Sequence, residues 1–425
     1  MSLFALERPT TTMSLVGRAP CHWRRRMRGV IKEAATARRS RRRFTRAARN
    51  TVREEEEEDD GSSKRTVVEL FSGIGGMRLA LEDANVLWNG KDDDDDGAAA
   101  AVHFIAVDNN CNANAVYRAN FCSCSSSSSS SSSSEVLEGN IESIDVERLL
   151  YSSCEILTMS PPCQPYTRKG KKEREKDARS TALARIIDAF EDASPQMALP
   201  KRILLENVVG FELGTERERF ISSLEKHRYH VKEYVGLSPE TMLGVPVKRP
   251  RYYLLARREE FGSFDVSSFE STPSVEEDIA KYLDEEIEVG LEIEKKKIEK
   301  YWKFFDVVNV ASSSNVASTF TSGYGKTVFS GSYILFDNCD IAKRDVHANN
   351  AYRLVKDDNS ESDEQFAERV SRSMRYFSPR ELCRLHGIKE QFVFPSSLSK
   401  RQQYKLIGNG ISVNVVSKLL EYLFK

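Results

Sequence analysis

The 425-residue sequence predicts an α/β protein built on a parallel, doubly wound sheet. Two observations support this fold class. Short apolar runs alternate along the chain with helical patterns, as expected for strands joined by crossover helices. Glycine-rich or functional polar residues follow these runs, at the positions where ligands gather in such sheets. The chain is 40% hydrophobic, which is enough for a sizeable core.

Four strands are predicted in order. TVVEL at 66–70 leads through a glycine turn into the helical pattern GMRLALEDA, and VHFIAVD at 102–108 precedes the helical pattern NAVYRANF. EILTM at 155–159 is followed later by the helical pattern ALARIIDAFEDA, and RILLEN at 202–207 is the fourth run. The carboxyl ends of these strands are expected to meet at one edge of the sheet.

Low-complexity segments mark what lies outside the predicted core. The acidic run at 54–60 ends a predicted disordered tail over 1–63, and inserts are predicted at 91–101 (KDDDDDGAAAA) and 122–135, which includes a serine run. Such tracts have too little apolar surface to offset the entropy of ordering. We therefore expect them in surface loops.

The N-terminal tail is strongly basic. Residues 1–53 carry fifteen Lys or Arg and two acids, although the whole chain has a net charge of -1. This composition is typical of an organelle transit peptide, of nuclear-localisation or nucleic-acid patches, and of a solvated disordered tail. The predicted location is cytoplasmic, nuclear or both, with organellar import as the alternative. No apolar run approaches the roughly 18 residues of a membrane helix, so we expect no membrane partner.

One of the eight cysteines has an unusual setting. No CxxC pair occurs, and Cys122 with Cys124 lacks further ligands, so no metal site is expected. Cys163 instead follows two prolines in SPPCQPYTR, which hold it stiffly in a loop. Basic residues downstream favour its thiolate, the form that nucleophilic catalysis requires. They are Arg168, Lys169, Lys171 and Lys172.

Other strand ends carry further candidates. The turn FSGIGG after the first strand would let backbone N–H groups approach a ligand at a helix N-terminus, and Asp108 would accept hydrogen bonds from ribose hydroxyls. The alternative is that the turn is only geometry and Asp108 an ordinary loop acid. Glu206 ends an apolar strand, where burial would raise its pKa and let it donate a proton near neutral pH.

Five motifs, in this order, resemble those of the cytosine-5 DNA methyltransferases. They are ELFSGIGGM, SPPCQP, LLENVVGF, RPRYYLLA and LIGNGISVNVV, and the resemblance covers about 66–256 and 318–425. PPCQPYTR and TFTSGYG are most similar to the eukaryotic branch that methylates aspartate tRNA. That branch usually has cysteine where Thr319 stands, and the family has serine where Gly410 stands.

The resemblance implies a Rossmann-like, S-adenosylmethionine-dependent methyltransferase fold with a smaller inserted target-recognition domain. The catalytic domain would span 64–256, the target-recognition domain 257–375, and the return to the catalytic domain 376–425. Within these, EVGLEIEKKKIEKYWKFF predicts a charged helix, and a capping box at Ser378 predicts a helix beginning near Pro379. A last helix, with Val416, Leu419, Leu420 and Leu423 at helical spacing, would pack back onto the edge of the first strand.

The resemblance also implies roles for individual residues. Cys163 would add to cytosine C6, Glu206 would hold and protonate N3, Arg249 and Arg251 would lie near the flipped base, and Asn207 would brace the cysteine loop. The cofactor would be S-adenosylmethionine, held by Phe71, Ser72, Gly73, Gly75, Asp108, Asn140, Ile141, Pro161 and Asn409. Nucleic acid would be contacted by Arg168, Lys169, Lys171, Lys172, Thr319, Phe320, Thr321 and Tyr324.

The predicted function is methylation of cytosine C5 in the anticodon loop of aspartate tRNA, at position 38, by a monomeric enzyme. A DNA cytosine-5 methyltransferase is the first alternative, and a catalytically silent nucleic-acid- or partner-binding module is the second. Pro-Tyr-Thr-Arg after the cysteine, and the lack of a recognisable chromatin-reading domain, favour RNA. The presence of both Cys163 and Glu206 argues against a silent module.

Overall fold

The computed structural model describes ten ranges of the chain: 65–87, 101–122, 132–152, 154–162, 178–265, 277–310, 316–336, 342–345, 351–356 and 361–425. All of them belong to one compact unit, Ser63–Lys425. The predicted tail, most of the two inserts and five predicted site residues lie outside the described residues. The five site residues are Cys163, Arg168, Lys169, Lys171 and Lys172.

The larger sheet has seven strands in the described ranges. They are β1 (Arg65–Leu70), β2 (Val102–Asp108), β3 (Ser133–Glu138), β4 (Ile156–Met159), β5 (Arg202–Val208), β6 (Tyr229–Leu237) and β7 (Arg251–Arg258). Their order across the sheet is β3-β2-β1-β4-β5-β7-β6. The first five are parallel, and β7 lies antiparallel between β5 and β6. The predicted α/β fold with a parallel, doubly wound sheet is confirmed.

Helices accompany both sheets. They are α1 (Gly76–Ala84), α2 (Cys111–Phe121), α3 (Val146–Leu150), α4 (Ala178–Asp192), α5 (Thr215–Lys226), α6 (Pro239–Leu243), α7 (Lys295–Tyr301), α8 (Asp363–Ser371), α9 (Pro379–Leu385), α10 (Lys400–Asn409) and α11 (Val413–Leu423). Short 3-10 turns lie at Ile141–Ser143, Phe211–Leu213, Glu259–Phe261, Ile279–Tyr282 and Trp302–Phe304. Within the described ranges, every helix is too short or too polar to cross a membrane.

Both faces of the larger sheet are covered. Val67 of β1 belongs to the apolar cluster that includes α1 and α11, and the next residue, Val68, belongs to the cluster that includes α4 and α5. Successive side chains of a strand point to opposite faces, so β1 contributes to two cores. This explains why the parallel strands are continuous apolar runs in the sequence.

The last helix is where the sequence predicts one, but its neighbour differs. The four apolar residues predicted to line it are all buried, and α11 packs against α1. The helix therefore lies on the face of the sheet, against α1 and also against β7, and does not lie on the edge of β1. Just before it, Ile411 approaches Gly76 so closely that a Cβ there would lie 2.7 Å from Ile411 Cγ1. Glycine at position 76 permits this contact.

Two sequence predictions are corrected by the strand and helix bounds. β3 begins at Ser133, inside the predicted insert 122–135. Polar residues can form a strand at the edge of a sheet because their backbone groups pair with the neighbouring strand, and here Ser133 pairs with His103 of β2. The charged helix predicted over 288–305 is shorter, with α7 confined to Lys295–Tyr301. Its first part is not helical, since Gly290 has a positive φ of 83° and Glu292 pairs with Arg375.

A smaller sheet lies within residues 306–375. Its strands are β8 (Asp306–Asn309), β9 (Tyr333–Leu335), β10 (Ala342–Asp345), β11 (Ala351–Leu354) and β12 (Met374–Arg375), in the order β10-β11-β8-β9-β12. Phe305, Tyr333 and Phe366 pack in its core with α7 and α8. The domain bounds drawn from the sequence remain predictions.

The chain then leaves this sheet through α9. Ser378 Oγ accepts a hydrogen bond from the Glu381 N–H at 3.1 Å, and Glu381 Oε2 accepts one from the Ser378 N–H at 2.7 Å. This is the predicted capping box, with Pro379 at the first helical position. The helix begins where the sequence indicated.

Candidate active site

The turn after β1, Phe71–Gly76, is tightly folded. Phe71, Gly73 and Gly75 all have positive φ angles, of 58°, 55° and 88°. A Cβ on Gly75 would lie 2.3 Å from the Phe121 ring, whereas a Cβ on Gly73 would meet nothing within 4 Å. Gly75 therefore permits close packing beneath the turn, and Gly73 faces open space above it. The glycine turn leaves room for a ligand against the backbone.

Asp108, at the end of β2, holds the glycine turn in place. Its Oδ2 accepts a hydrogen bond from the Gly73 N–H at 2.9 Å, and its Oδ1 accepts one from the Asn110 N–H at 2.8 Å. Burial raises the pKa of Asp108, and these N–H donors oppose the rise. Because each carboxylate oxygen has more than one lone pair, the group can still accept hydrogen bonds from a ligand.

Asn140 and Ile141 follow β3 beside Asp108. The Asn109 side-chain amide donates to Asn140 Oδ1 at 2.8 Å, and the Gly139 N–H donates to the Asp108 carbonyl at 3.1 Å. Asn140 is exposed and Ile141 is buried. The structure thus brings the predicted cofactor residues after β1, β2 and β3 to one edge. Asn109 was not predicted, although its position directly after the strand-end aspartate was the available signal.

The second half of the site is a buried acid and its charge partner. Glu206, near the end of β5, is buried, and its Oε1 lies 3.0 Å from Nε of Arg251 on β7. Burial raises the pKa of Glu206, while the positive charges of Arg251 and Arg249 oppose the rise. The raised pKa favours the protonated form of the carboxyl group, which can donate its proton to a bound base.

Asn207 connects this acid to the cysteine loop, which begins at Ser160 after β4. Its Nδ2 donates to the Pro161 carbonyl at 3.4 Å, and its Oδ1 accepts from the Val208 N–H at 2.8 Å. Ser160 Oγ donates to the Phe71 carbonyl at 3.1 Å. The start of the loop is therefore tied both to β5 and to the glycine turn. Ser160 was not predicted as a site residue, although it begins the SPPCQP motif and follows the end of a strand.

Arg249 is buried and bonded to backbone carbonyls. Its side chain is 3% exposed and its guanidinium donates to the Phe320 carbonyl at 2.9 Å, to the Gly408 carbonyl at 3.2 Å and to the Gly410 carbonyl. These three bonds tie the segment before β7 to two other segments of the chain. The positive charge of Arg249 is also close enough to Glu206 to oppose the rise of that group's pKa. The position of Arg249 near a flipped base remains a prediction.

Asn409 lies between two of the carbonyls that Arg249 holds. It is the last residue of α10 and is exposed, and the chain leaves the helix at Gly410. Ile411 follows and packs on Gly76 at the start of α1. Because Ile411 contacts Gly76, the short segment from 409 to 411 brings Asn409 toward the glycine turn.

The predicted nucleic-acid contacts after residue 318 are divided by burial. Phe320 and Tyr324 are each 1% exposed, and Tyr324 Oη donates to the Ser332 carbonyl at 2.8 Å and accepts from the Phe377 N–H at 3.0 Å. The prediction that these two side chains touch substrate is wrong, because they belong to an aromatic core. Thr319 Oγ1 donates to the Lys248 carbonyl at 2.7 Å, and Thr321 is exposed.

The larger sheet therefore carries two groups of candidate site residues near the carboxyl ends of its parallel strands, where ligands bind in such sheets. The class of this enzyme is methyltransferase. The chain belongs to the family of C-5 cytosine-specific DNA methylases, whose sequence profile matches residues 65–425. The resemblance drawn from the five motifs is thereby confirmed.

Individual relatives share most of their length with this chain. The human tRNA (cytosine(38)-C(5))-methyltransferase is 28% identical over 84% of this chain and 99% of its own length. A DNA (cytosine-5)-methyltransferase of Dictyostelium discoideum is 28% identical over 84% of this chain and 93% of its own. The structure of the Entamoeba histolytica methyltransferase EhMeth superposes with a TM-score of 0.64, at 27% identity over 85% of this chain and 98% of that one.

Proposed function

We propose that this enzyme transfers a methyl group from S-adenosylmethionine to C5 of a cytosine in tRNA, at position 38 in the anticodon loop of aspartate tRNA. The observation that carries the proposal is the buried Glu206–Arg251 pair, joined through Asn207 to the loop that leads into Cys163. A buried acid beside the start of a loop that contains a cysteine suits covalent attack on a pyrimidine. Family membership and the names of the tRNA-methylating relatives support the same chemistry.

The residues around the glycine turn fit S-adenosylmethionine. Ser72 has a buried hydroxyl with no hydrogen-bond partner among the described residues, and Gly73 faces open space. Asp108 offers acceptors suited to ribose hydroxyls, and Asn140 with Ile141 offers a polar and an apolar group suited to adenine. When bound, this cofactor supplies an electrophilic methyl group.

The protein's own residues would prepare the cytosine. The Cys163 thiolate forms a bond to C6, and the electrons displaced by this attack move toward N3. Glu206 donates a proton to N3, which neutralises the charge as it develops. C5 is then nucleophilic enough to take the methyl group. A base removes the C5 proton, the S–C6 bond breaks and the Cys163 thiolate leaves. N3 returns its proton to the Glu206 carboxylate, so neutral 5-methylcytosine and the starting form of the acid are both obtained.

Arg251 would act on the acid. Its guanidinium fixes the position of the Glu206 carboxyl and stabilises the carboxylate that remains after proton transfer. Asn207 would hold the first residues of the cysteine loop against β5. Nucleophile and acid would thus approach the base from strand ends of one rigid sheet.

Two arguments favour tRNA over DNA. A base must leave its stack before a side chain can attack C6, which costs a few kcal/mol in a duplex. Anticodon-loop bases are unpaired, so the cost there is smaller. In addition, residues 54–425 carry 48 Lys or Arg against 62 Asp or Glu, which gives little of the broad positive surface that duplex tracking favours. DNA methylation remains the alternative function, because the Dictyostelium relative is named a DNA (cytosine-5)-methyltransferase.

A direct assay distinguishes these substrates. Purified enzyme would be incubated with methyl-labelled S-adenosylmethionine and either total tRNA or genomic DNA at equal mass and salt, followed by digestion and nucleoside analysis. We expect labelled 5-methylcytidine from tRNA, and none from aspartate tRNA with a position-38 substitution. Faster labelling of duplex DNA than of tRNA would overturn the RNA assignment.

A further inference from the structure

Two phenylalanines form an exposed aromatic pair beside the smaller sheet. Phe304 ends the 3-10 turn before β8 and is 51% exposed, while Phe329, in the loop that leads to β9, is 62% exposed. Their ring centroids are 5.4 Å apart and the rings are inclined by 61°. Of the large apolar residues exposed in the described ranges, only these two are aromatic. Apolar surface left in water in this way commonly marks a binding site.

The loop that carries Phe329 is continuous with the candidate active site. Its ends are closed by a hydrogen bond from the Thr321 N–H to the Ser330 carbonyl, at 2.9 Å. At its start, Gly408 packs so closely that a Cβ there would lie 2.3 Å from the Thr321 carbonyl carbon. The Gly408 carbonyl in turn accepts a hydrogen bond from Arg249. One short loop therefore runs from the segment beside Asn409 to the exposed ring of Phe329.

Two lysines lie next to the pair. Lys303 precedes Phe304 and Lys326 shares the loop of Phe329, and both are exposed without an ion pair in the described part of the chain. Lys303 Nζ lies 5.2 Å from the centroid of the Trp302 ring. The nearby acid Asp363 forms an ion pair with Lys356, and the positive charge of Lys303 also helps to lower its pKa. Exposed ammonium groups beside exposed rings are complementary to a chain of phosphates and bases.

We propose that Phe304 and Phe329 form a stacking platform for unpaired bases of the RNA substrate, with Lys303 and Lys326 contacting the flanking phosphates. The inference rests on the proposed function, because it assigns the platform to the substrate of the same active site. Aromatic rings stack on any base, so the platform would hold an opened loop without reading its sequence. A fully paired helix keeps its bases inside and cannot use it.

The test compares side chains that differ only in aromatic character. Phe304→Leu and Phe329→Leu keep an apolar side chain and lose the ring, whereas Phe329→Trp keeps a ring. Binding of a fluorescent anticodon stem-loop RNA and of a fully paired RNA of the same length would be measured by anisotropy. We expect each leucine variant to bind the stem-loop roughly 5- to 150-fold more weakly. Binding of the paired RNA should be unchanged, and Phe329→Trp should retain the affinity of the unmodified enzyme.

A matched control is Val289→Ala, which truncates an apolar residue that is 85% exposed elsewhere. It should bind both RNAs normally, and melting curves should show all four variants folded. Equal binding by the leucine variants and the unmodified enzyme would overturn the platform. Equal loss for stem-loop and paired RNA would also overturn it, because the rings would then contact a feature that both RNAs share and not unpaired bases. If the enzyme methylates no tRNA, the proposed function fails, and the stem-loop comparison still decides the platform.

Discussion

Arg251 Nε lies 3.0 Å from Glu206 Oε1, and the two residues come from neighbouring antiparallel strands. The pairing of β5 with β7 sets Val208 opposite Arg251 and Glu206 opposite Tyr253, so the guanidinium reaches its carboxyl partner diagonally across the ladder. Strand positions hold side chains more rigidly than loops do. The acid and its charge partner are therefore fixed by the sheet itself.

Glu206→Gln should lower the turnover number by on the order of a hundredfold or more, because the amide cannot give a proton to N3. The measurement is single-turnover methylation of tRNA, with binding of S-adenosylmethionine measured separately. Cofactor binding should be unchanged, since the glycine turn is a separate part of the site. Near-normal turnover would remove Glu206 from the mechanism.

The pH dependence of the same step gives a second test of Glu206. Burial raises its pKa, so the protonated, active fraction falls as pH rises through that value. Turnover in the unmodified enzyme should therefore decline on the alkaline side, and Glu206→Gln should show no such decline. An identical alkaline limb in both enzymes would assign the titration to another group.

Substitutions of Arg249 and Arg251 should have different effects, the first mainly on the free energy of unfolding and the second mainly on turnover. Arg249→Met leaves three buried carbonyls without their donor and should lower the free energy of unfolding by about 3 kcal/mol or more. Arg251→Met removes the partner of Glu206 and should reduce turnover at least tenfold, with a smaller effect on unfolding. Urea titration and methylation rates of both variants test this, and equal effects on both quantities would contradict it.

Cys163→Ala should abolish methyl transfer and leave S-adenosylmethionine binding nearly intact, because the thiolate acts on the base. Cys122→Ala serves as the matched control and should keep activity. Denaturing gels with RNA containing 5-fluorocytosine would show a covalent complex for the unmodified enzyme only. Loss of cofactor binding in Cys163→Ala would instead indicate a structural cysteine.

Glu69, buried in β1, predicts a pH-dependent stability. Burial raises its pKa from 4.5 to about 8, although the positive charge of Arg78 opposes the rise, and its Oε2 has no hydrogen-bond partner in the described ranges. The folded state therefore binds this proton more tightly than the unfolded state. Stability present below pH 4.5 should be lost as pH rises toward about 8, by up to about 1.4 kcal/mol per unit.

The comparison with Glu69→Gln isolates this effect from other groups. Glutamine has nearly the same shape and does not titrate, so the variant should lose less stability between pH 5 and pH 8, as measured by urea titration. If the free energy of unfolding changes with pH equally in both proteins, the protonation of Glu69 does not differ between the folded and unfolded states.

The sequence was informative where a strand is buried on both faces. β1, β2 and β5 are continuous apolar runs, so their bounds were found to within a residue or so. β6, in contrast, was not predicted, because YHVKEYVGL at the edge of the sheet mixes charged and apolar residues. The antiparallel setting of β7 depends on contacts far apart in sequence, and no local pattern encodes it.

The same distinction applies to the site. The residues of the glycine turn and Glu206 could be assigned to the site from the sequence, because the carboxyl ends of parallel strands all lie at the same edge of the sheet. The burial of Arg249 and Tyr324 could not be predicted, because an arginine before a strand and a tyrosine between glycines are typical of exposed loops. Their partners, Gly408 and Phe377, are supplied by the chain's last fifty residues.

The packing of α11 on α1 has a consequence for synthesis on the ribosome. About 330 residues separate the end of α1 from the start of α11. At roughly 5–20 residues per second, the apolar face of α1 emerges tens of seconds before its covering helix has been made. The nascent chain must therefore keep that face shielded from other chains during translation, and a ribosome stalled before residue 413 would carry a catalytic sheet with one side open.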